Sequence, residues 1–186
     1  MEIVIRPFRE DDRSIIRDLT VAGFEGVSID HNIDQRLGPI AGKGWRWRKA
    51  RDVDRDIDLA GSELAVAFDK ENGEVIGYIT MQCDVETRIG WIHNLVVGAR
   101  ARGQGLGRRL LEHALAHFQK AGMTVAKIET LEQNEVGQHL YPSVGFVEVA
   151  RQIHFAMPLL NYHRCWPPYP PGGPGGEPYC WGGTPC

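Results

Sequence analysis

The sequence predicts an α+β domain in which strands and helices mix around a mostly antiparallel central sheet. Three observations carry that expectation. Leu64, Val66 and Phe68 alternate with smaller or polar residues, and Asn72-Gly73 then turns the chain into Val75 to Gln82, the pattern of an antiparallel hairpin. Leu106, Leu110, Leu111, Ala114, Leu115 and Phe118 recur at helical spacing behind an apolar strand, Ile92 to Val97. With 186 residues, 42% of them hydrophobic, the chain is long enough to bury one sizeable core.

In order along the chain, Glu2 to Arg6 reads as an opening strand stopped near Pro7, and Asp11 or Asp12 can cap a helix carrying Ile15, Ile16 and Leu19. From Gly23 to Gly61 glycines mix with Asp30, Asp34, Trp45, Arg46, Trp47 and Arg48, which predicts short helices and loops. After the hairpin, Thr87 to Gly90 turns the chain into the strand Trp91 to Val97. The helix that follows ends where Gly122 can cap it, and a strand runs from about Val125 to Thr130. Asn134 to Val144 carries Leu140, Tyr141 and Val144 on one side, with Gly145 as C-cap. Phe146 to Val149 and Gln152 to Met157 predict a closing hairpin. Beyond Pro158 the composition shifts to Pro and Gly, so residues 1–158 read as the domain and 159–186 as a tail.

Composition narrows the function classes. A net charge of −3 gives no electrostatic reason to expect nucleic acid. No apolar run reaches membrane-spanning length, and Met1 to Arg6 lacks the long apolar stretch of a secretory signal, so a cytoplasmic protein is expected. Of the four cysteines only Cys83 lies outside the tail, so they do not form a disulfide framework. His163, Cys165, Cys180 and Cys186 are zinc-competent residue types, but no Cys-x-x-Cys pair occurs and no metal is expected.

The run Arg100 to Arg108 joins the strand ending at Val97 to the helix beginning near Leu106. Glycines at 103, 105 and 107 remove side chains that would keep a phosphate off the backbone, and the first N–H groups of a helix point outward at an anion. Arg102 and Arg108 add charge-assisted donors. The stretch therefore reads as a pyrophosphate cradle. A dinucleotide fingerprint is excluded because its last glycine would fall on Arg108, and no Gly-Lys-Ser/Thr follows for a nucleotide-triphosphate loop.

What remains, Arg-x-x-Gly-x-Gly at Arg102, Gly105 and Gly107, resembles the acetyl-CoA signature of the GCN5-related N-acetyltransferases. The strand Ile92 to Val97 is similar to the family's fourth strand, and Asn134 with Leu140 to Phe146 is similar to its second cofactor motif. The likeness spans about residues 1–157. It implies a sheet whose fourth and fifth strands splay apart, flanked by about four helices. It further implies that acetyl-CoA is held by backbone near Leu95, Val96 and Val97, by Arg102, Gly103, Gln104, Gly105, Leu106, Gly107 and Arg108, and by Asn134. For Asn134, an ordinary helix N-cap is an equal and compatible reading.

Direct attack of a primary amine on the thioester, in a ternary complex, would need two proton-handling groups. Tyr141 can donate to the departing sulfur, the alternative being a packed core tyrosine. His93 can take the proton that the ammonium must lose, and Trp91 to Val97 resembles the histidine-bearing fourth strand of arylalkylamine N-acetyltransferases. No acid stands between Gly90 and Val97, which leaves Asp84 or Glu86 acting through water as another route. For the acceptor, the resemblance points to Phe24 to Asp58, with Trp45 and Trp47 as an aromatic wall and Asp30 or Asp34 drawing an ammonium. A solvated face of Arg46, Arg48, Lys49 and Arg51 is the competing reading. The expected partner is a small-molecule or peptide amine, and a homodimer stays open. A catalytically silent CoA-binding module whose tail recruits a partner, another acyl donor and an O-acceptor are the alternatives.

Overall fold

A computed structural model describes residues 2–59 and 61–159. The tail cysteines and His163 lie outside the described residues. Among the described residues five strands, β1 (Ile3–Pro7), β2 (Ser62–Asp69), β3 (Glu74–Asp84), β4 (Ile89–Val97) and β5 (Val125–Ile128), form one sheet in sequence order. The first three pairings are antiparallel and β4–β5 is parallel. The helices are α1 (Arg13–Gly23), α2 (Ile29–Leu37), α3 (Trp45–Asp58), α4 (Leu106–Lys120) and α5 (Glu135–Val144), five among the described residues where about four were expected.

The predicted hairpin forms because Gly73, at φ +70°, supplies the turn between β2 and β3. The sheet buries both faces, which explains the long apolar runs of β3. On one face Ile76, Ile79, Met81 and Ile92 pack with Leu106, Leu110, Leu111, Ala114 and Phe118 of α4. On the other, Val66, Tyr78 and Val96 pack with Ile16 of α1 and Val53 of α3. Gly90 lets α4 approach closely, since a Cβ there would lie 2.4 Å from Phe118 Cγ. Gly122, at φ +78°, follows α4 as expected of a terminating glycine.

Three expectations are corrected. Asp12 precedes α1 but does not cap it: its carboxylate accepts from the Arg9 N–H and pairs with both Arg6 nitrogens, at 2.7 and 2.8 Å, which holds its pKa below the usual carboxylate range. The stretch Gly23 to Gly61 is more regular than its glycines suggest, because α3 runs for 14 residues on charge pairs that composition alone does not reveal. Residues 146–151 form no strand, and neither do residues 152–159, because alternation by itself does not make a strand without a ladder to join. Val149, Ile153 and Phe155 consequently stay largely exposed. Among the described residues no helix is long and apolar enough to cross a membrane.

Candidate active site

Strands β4 and β5 pair only from Ile89–Val125 to Ile92–Ile128. Beyond that point β4 continues to Val97 against β3 while β5 ends, so the strands separate along His93 to Val97. A β-bulge sits at the same place: Thr80 pairs with Asn94 and Met81 with Ile92, leaving His93 as the extra residue. Its effect is on side-chain direction. Ile92 and Leu95 both belong to the α4-side core, whereas of the two residues between them Asn94 bonds Lys49 and Asp56 of α3 and His93 stacks on Trp91, all of them lining a cavity under α3 that the edge of Ile92 also reaches. Strict alternation would have sent one of the pair into the α4 core.

Past β4, the glycine turn leads into α4. Gly103 and Gly105 hold φ +73° and +74°, and a Cβ on either would meet no atom within 4 Å. Glycine is required there for conformation, and the space beside it stays open. Gly107 has a different task, since its Cβ would stand 3.1 Å from Leu140 of α5. Leu106 is buried and anchors the helix start, so the first N–H groups of α4 face outward from a fixed point. The arginine side chains serve the protein: Arg102 Nε donates to the Val97 carbonyl at 3.2 Å, and Arg108 donates to the carbonyl and hydroxyl of Ser143, each at 2.9 Å. Gln104 Nε2 donates to the Arg100 carbonyl. The open feature of the turn is therefore its backbone, flanked by positive charge.

Asn134 caps α5, its Oδ1 accepting from the Gly137 N–H at 3.2 Å while Nδ2 donates to Thr130 Oγ1 at 2.8 Å. Tyr141 packs against the α4-side core and stands edge-on to Phe146, with ring centroids 6.2 Å apart. Burial pushes its phenol up to about 12, and no group among the described residues hydrogen-bonds its hydroxyl. It is a protonated donor at neutral pH.

His93 is half-buried, stacks on Trp91 at 4.5 Å between centroids, and places Nε2 3.1 Å from Gln82 Oε1. Burial pulls its pKa below the ordinary imidazole value, partly offset by the negative charges of Asp56 and Glu129. It opens on a cavity of about 380 Å³ lined also by Lys49, Asp52, Asp56, Asn94 and Glu129.

The acceptor-side residues expected from sequence are used elsewhere. Asp30 and Asp34 both pair with Arg48, at 2.8 and 2.6 Å, and Asp34 also accepts from the Trp45 N–H. Trp45 is buried against His31, and Trp47 is half exposed beside Lys43. Asp84 accepts from the Glu86 and Thr87 N–H groups, a turn role. Sequence reasoning missed Lys49, Asp52 and Asp56. The solvated face expected from sequence takes in Lys49 alone of the three, with Arg46, Arg48 and Arg51; the spacing of three and four residues that puts Lys49, Asp52 and Asp56 on one face of α3 is the signal that finds the others.

The chain matches the model of the Acetyltransferase (GNAT) family over residues 32–146, more than half its length, and belongs to that family. It is 30% identical over 151 residues to a mycothiol acetyltransferase of Propionibacterium freudenreichii subsp. shermanii, covering 80% of this chain and 44% of the relative. It is 33% identical over 97 residues to the L-amino acid N-acyltransferase MnaT of Escherichia coli K12, covering 50% of this chain and 55% of the relative. The chain thus spans about half or less of these relatives' length. Among solved structures, it shares its fold with PaiA N-acetyltransferase from Thermoplasma acidophilum, in complex with coenzyme A, at TM-score 0.61 and 18% identity over 79% of this chain and 91% of that one. An acetyltransferase of the GNAT family from Staphylococcus aureus Mu50 gives TM-score 0.61 at 14% identity, covering 81% and 87%.

Proposed function

We propose that this protein transfers an acetyl group from acetyl-CoA to a small primary amine by direct attack in a ternary complex. The observation that carries the reading is the gap along His93 to Val97, where β4 loses its β5 partner beside an open glycine turn at the start of α4. Backbone N–H groups from Gly103 to Arg108 receive the diphosphate, and β4 backbone near Leu95, Val96 and Val97 pairs with the pantetheine amides where β5 no longer reaches. Asn134 fixes the start of α5 and thereby the position of Tyr141.

Acetyl-CoA, when bound, supplies the thioester. The acceptor amine arrives protonated at neutral pH, and His93 accepts the proton that frees its lone pair. The lowered pKa of the ring keeps it neutral for that task. Tyr141 donates its hydroxyl proton toward the sulfur as charge develops there. The test is an acceptor screen that follows free CoA, run on the wild type beside Tyr141→Phe. Thiol release that depends on an amine and falls in the variant supports the reading; release with no acceptor dependence removes it.

A further inference from the structure

Five charged side chains, Lys49, Asp52, Arg55, Asp56 and Glu129, line the cavity next to His93. Three are neutralised: Asp52 pairs with Arg55 at 3.1 Å and Glu129 with Lys127 at 2.8 Å. The other two, Asp56 and Lys49, form no ion pair among the described residues, although Lys49 lies near enough to Asp52 to favour the charged form of that carboxylate. Both are held instead by one neutral side chain. Asn94, only 2% exposed, donates from Nδ2 to Asp56 at 2.5 Å and to Thr80 Oγ1 at 3.2 Å, while its Oδ1 accepts from Lys49 Nζ at 3.3 Å.

That orientation is forced, because a carboxylate only accepts and an ammonium only donates, so turning the amide would oppose like ends. A buried amide thus joins an anion and a cation on one face of α3. Lys49 and Asp56 stand two turns apart on α3, and the Asn94 amide is bonded to each of them. Lys49 also lies 4.2 Å from the Phe24 ring centre, which steadies its position without neutralising it.

We infer that this pair recognises an acceptor carrying its own opposite charges, an amino acid in zwitterionic form, with Asp56 taking the ammonium and Lys49 the carboxylate. The inference rests on the reading of this cavity as the acceptor site. It gives Asp56 a second effect. An ammonium drawn to its carboxylate sits beside His93, the group that must remove its proton. A neutral-ended amine would engage Asp56 and offer Lys49 no carboxylate; a simple acid would do the reverse.

The experiment compares free amino acids with their carboxamides as acceptors, following CoA release by the full chain, and measures binding of both sets to the CoA-loaded protein by calorimetry. The wild type should favour the free acids in kcat/KM by roughly tenfold or more, the worth of a charged hydrogen bond. In Lys49→Gln that preference should fall toward one. Carboxamides used as well as free acids, or a preference unchanged in Lys49→Gln, would overturn the inference while leaving acetyl transfer intact. If no acceptor releases CoA yet free acids bind more tightly than carboxamides, and Lys49→Gln abolishes the difference, the zwitterion site stands and the catalytic reading fails. If free acids show neither turnover nor binding, the inference is overturned, and turnover of other amines alone would preserve the enzyme reading.

Discussion

Gln82 Oε1 meets His93 Nε2 at 3.1 Å across the β3–β4 ladder, and because an amide oxygen only accepts, this contact puts the neutral ring's proton on Nε2. Nδ1 is then the basic atom. With the ring's pKa held below the ordinary 6.5 by burial, kcat at saturating acceptor should fall on the acid side with a midpoint below that value. Gln82→Glu supplies a negative charge that favours the imidazolium, so the ring stays protonated to higher pH and the midpoint rises by roughly one pH unit or more. A profile that does not move removes His93 from the proton path.

Tyr141→Phe keeps the packing against Phe146 and deletes only the donor. We expect kcat to fall by about 10²-fold or more with folding stability changed by less than about 1 kcal/mol. Rapid-quench measurement of the acetyl-transfer step, set beside thermal unfolding, separates lost chemistry from lost structure.

Gly105→Ala tests the turn. Its φ of +74° costs an alanine about 1–2 kcal/mol even though no atom blocks the Cβ. The turn should relax away from its present path, and calorimetry should find CoA bound about tenfold more weakly. Equal affinity would show that these N–H groups are not the diphosphate site.

Gly90→Ala drives a methyl to 2.4 Å from Phe118 Cγ in the α4-side core. Overpacking should cost about 1–3 kcal/mol in urea unfolding. In Phe118→Leu the same substitution should cost less, and a double-mutant cycle reads that coupling; strict additivity would contradict the packing described.

Asn134→Ala should cost about 1 kcal/mol through the lost cap on Gly137. Asn134→Asp retains the accepting oxygen and should recover most of that stability in thermal melts. If the aspartate variant is as unstable as alanine, the cap is not what Asn134 contributes.

Much of this fold was legible because its signals are local. Asn72-Gly73, the apolar period of Leu106 to Phe118, and Asn134 with Gly145 each name their element through turn, core and cap chemistry. The glycine turn was legible too, since its backbone requirement is written in residue type. The acceptor side was not. Whether Asp34 or Asp56 keeps a free carboxylate depends on where Arg48 reaches, a tertiary fact without sequence periodicity. The failed closing hairpin belongs to the same class: Val147 and Val149 alternate correctly, but strand formation depends on a neighbour edge that spacing cannot specify.

The bulge at His93 works as a phase shift in the pleat. One residue fewer at that point would leave Ile92 opposite Met81 and Asn94 opposite Thr80 in regular alternation, so the Asn94 amide would keep its side while the cleft lost the imidazole. The chemistry of this cleft is thus tied to an insertion count as closely as to residue identity, and redesign of its specificity should hold the length of β4 fixed while varying what it displays.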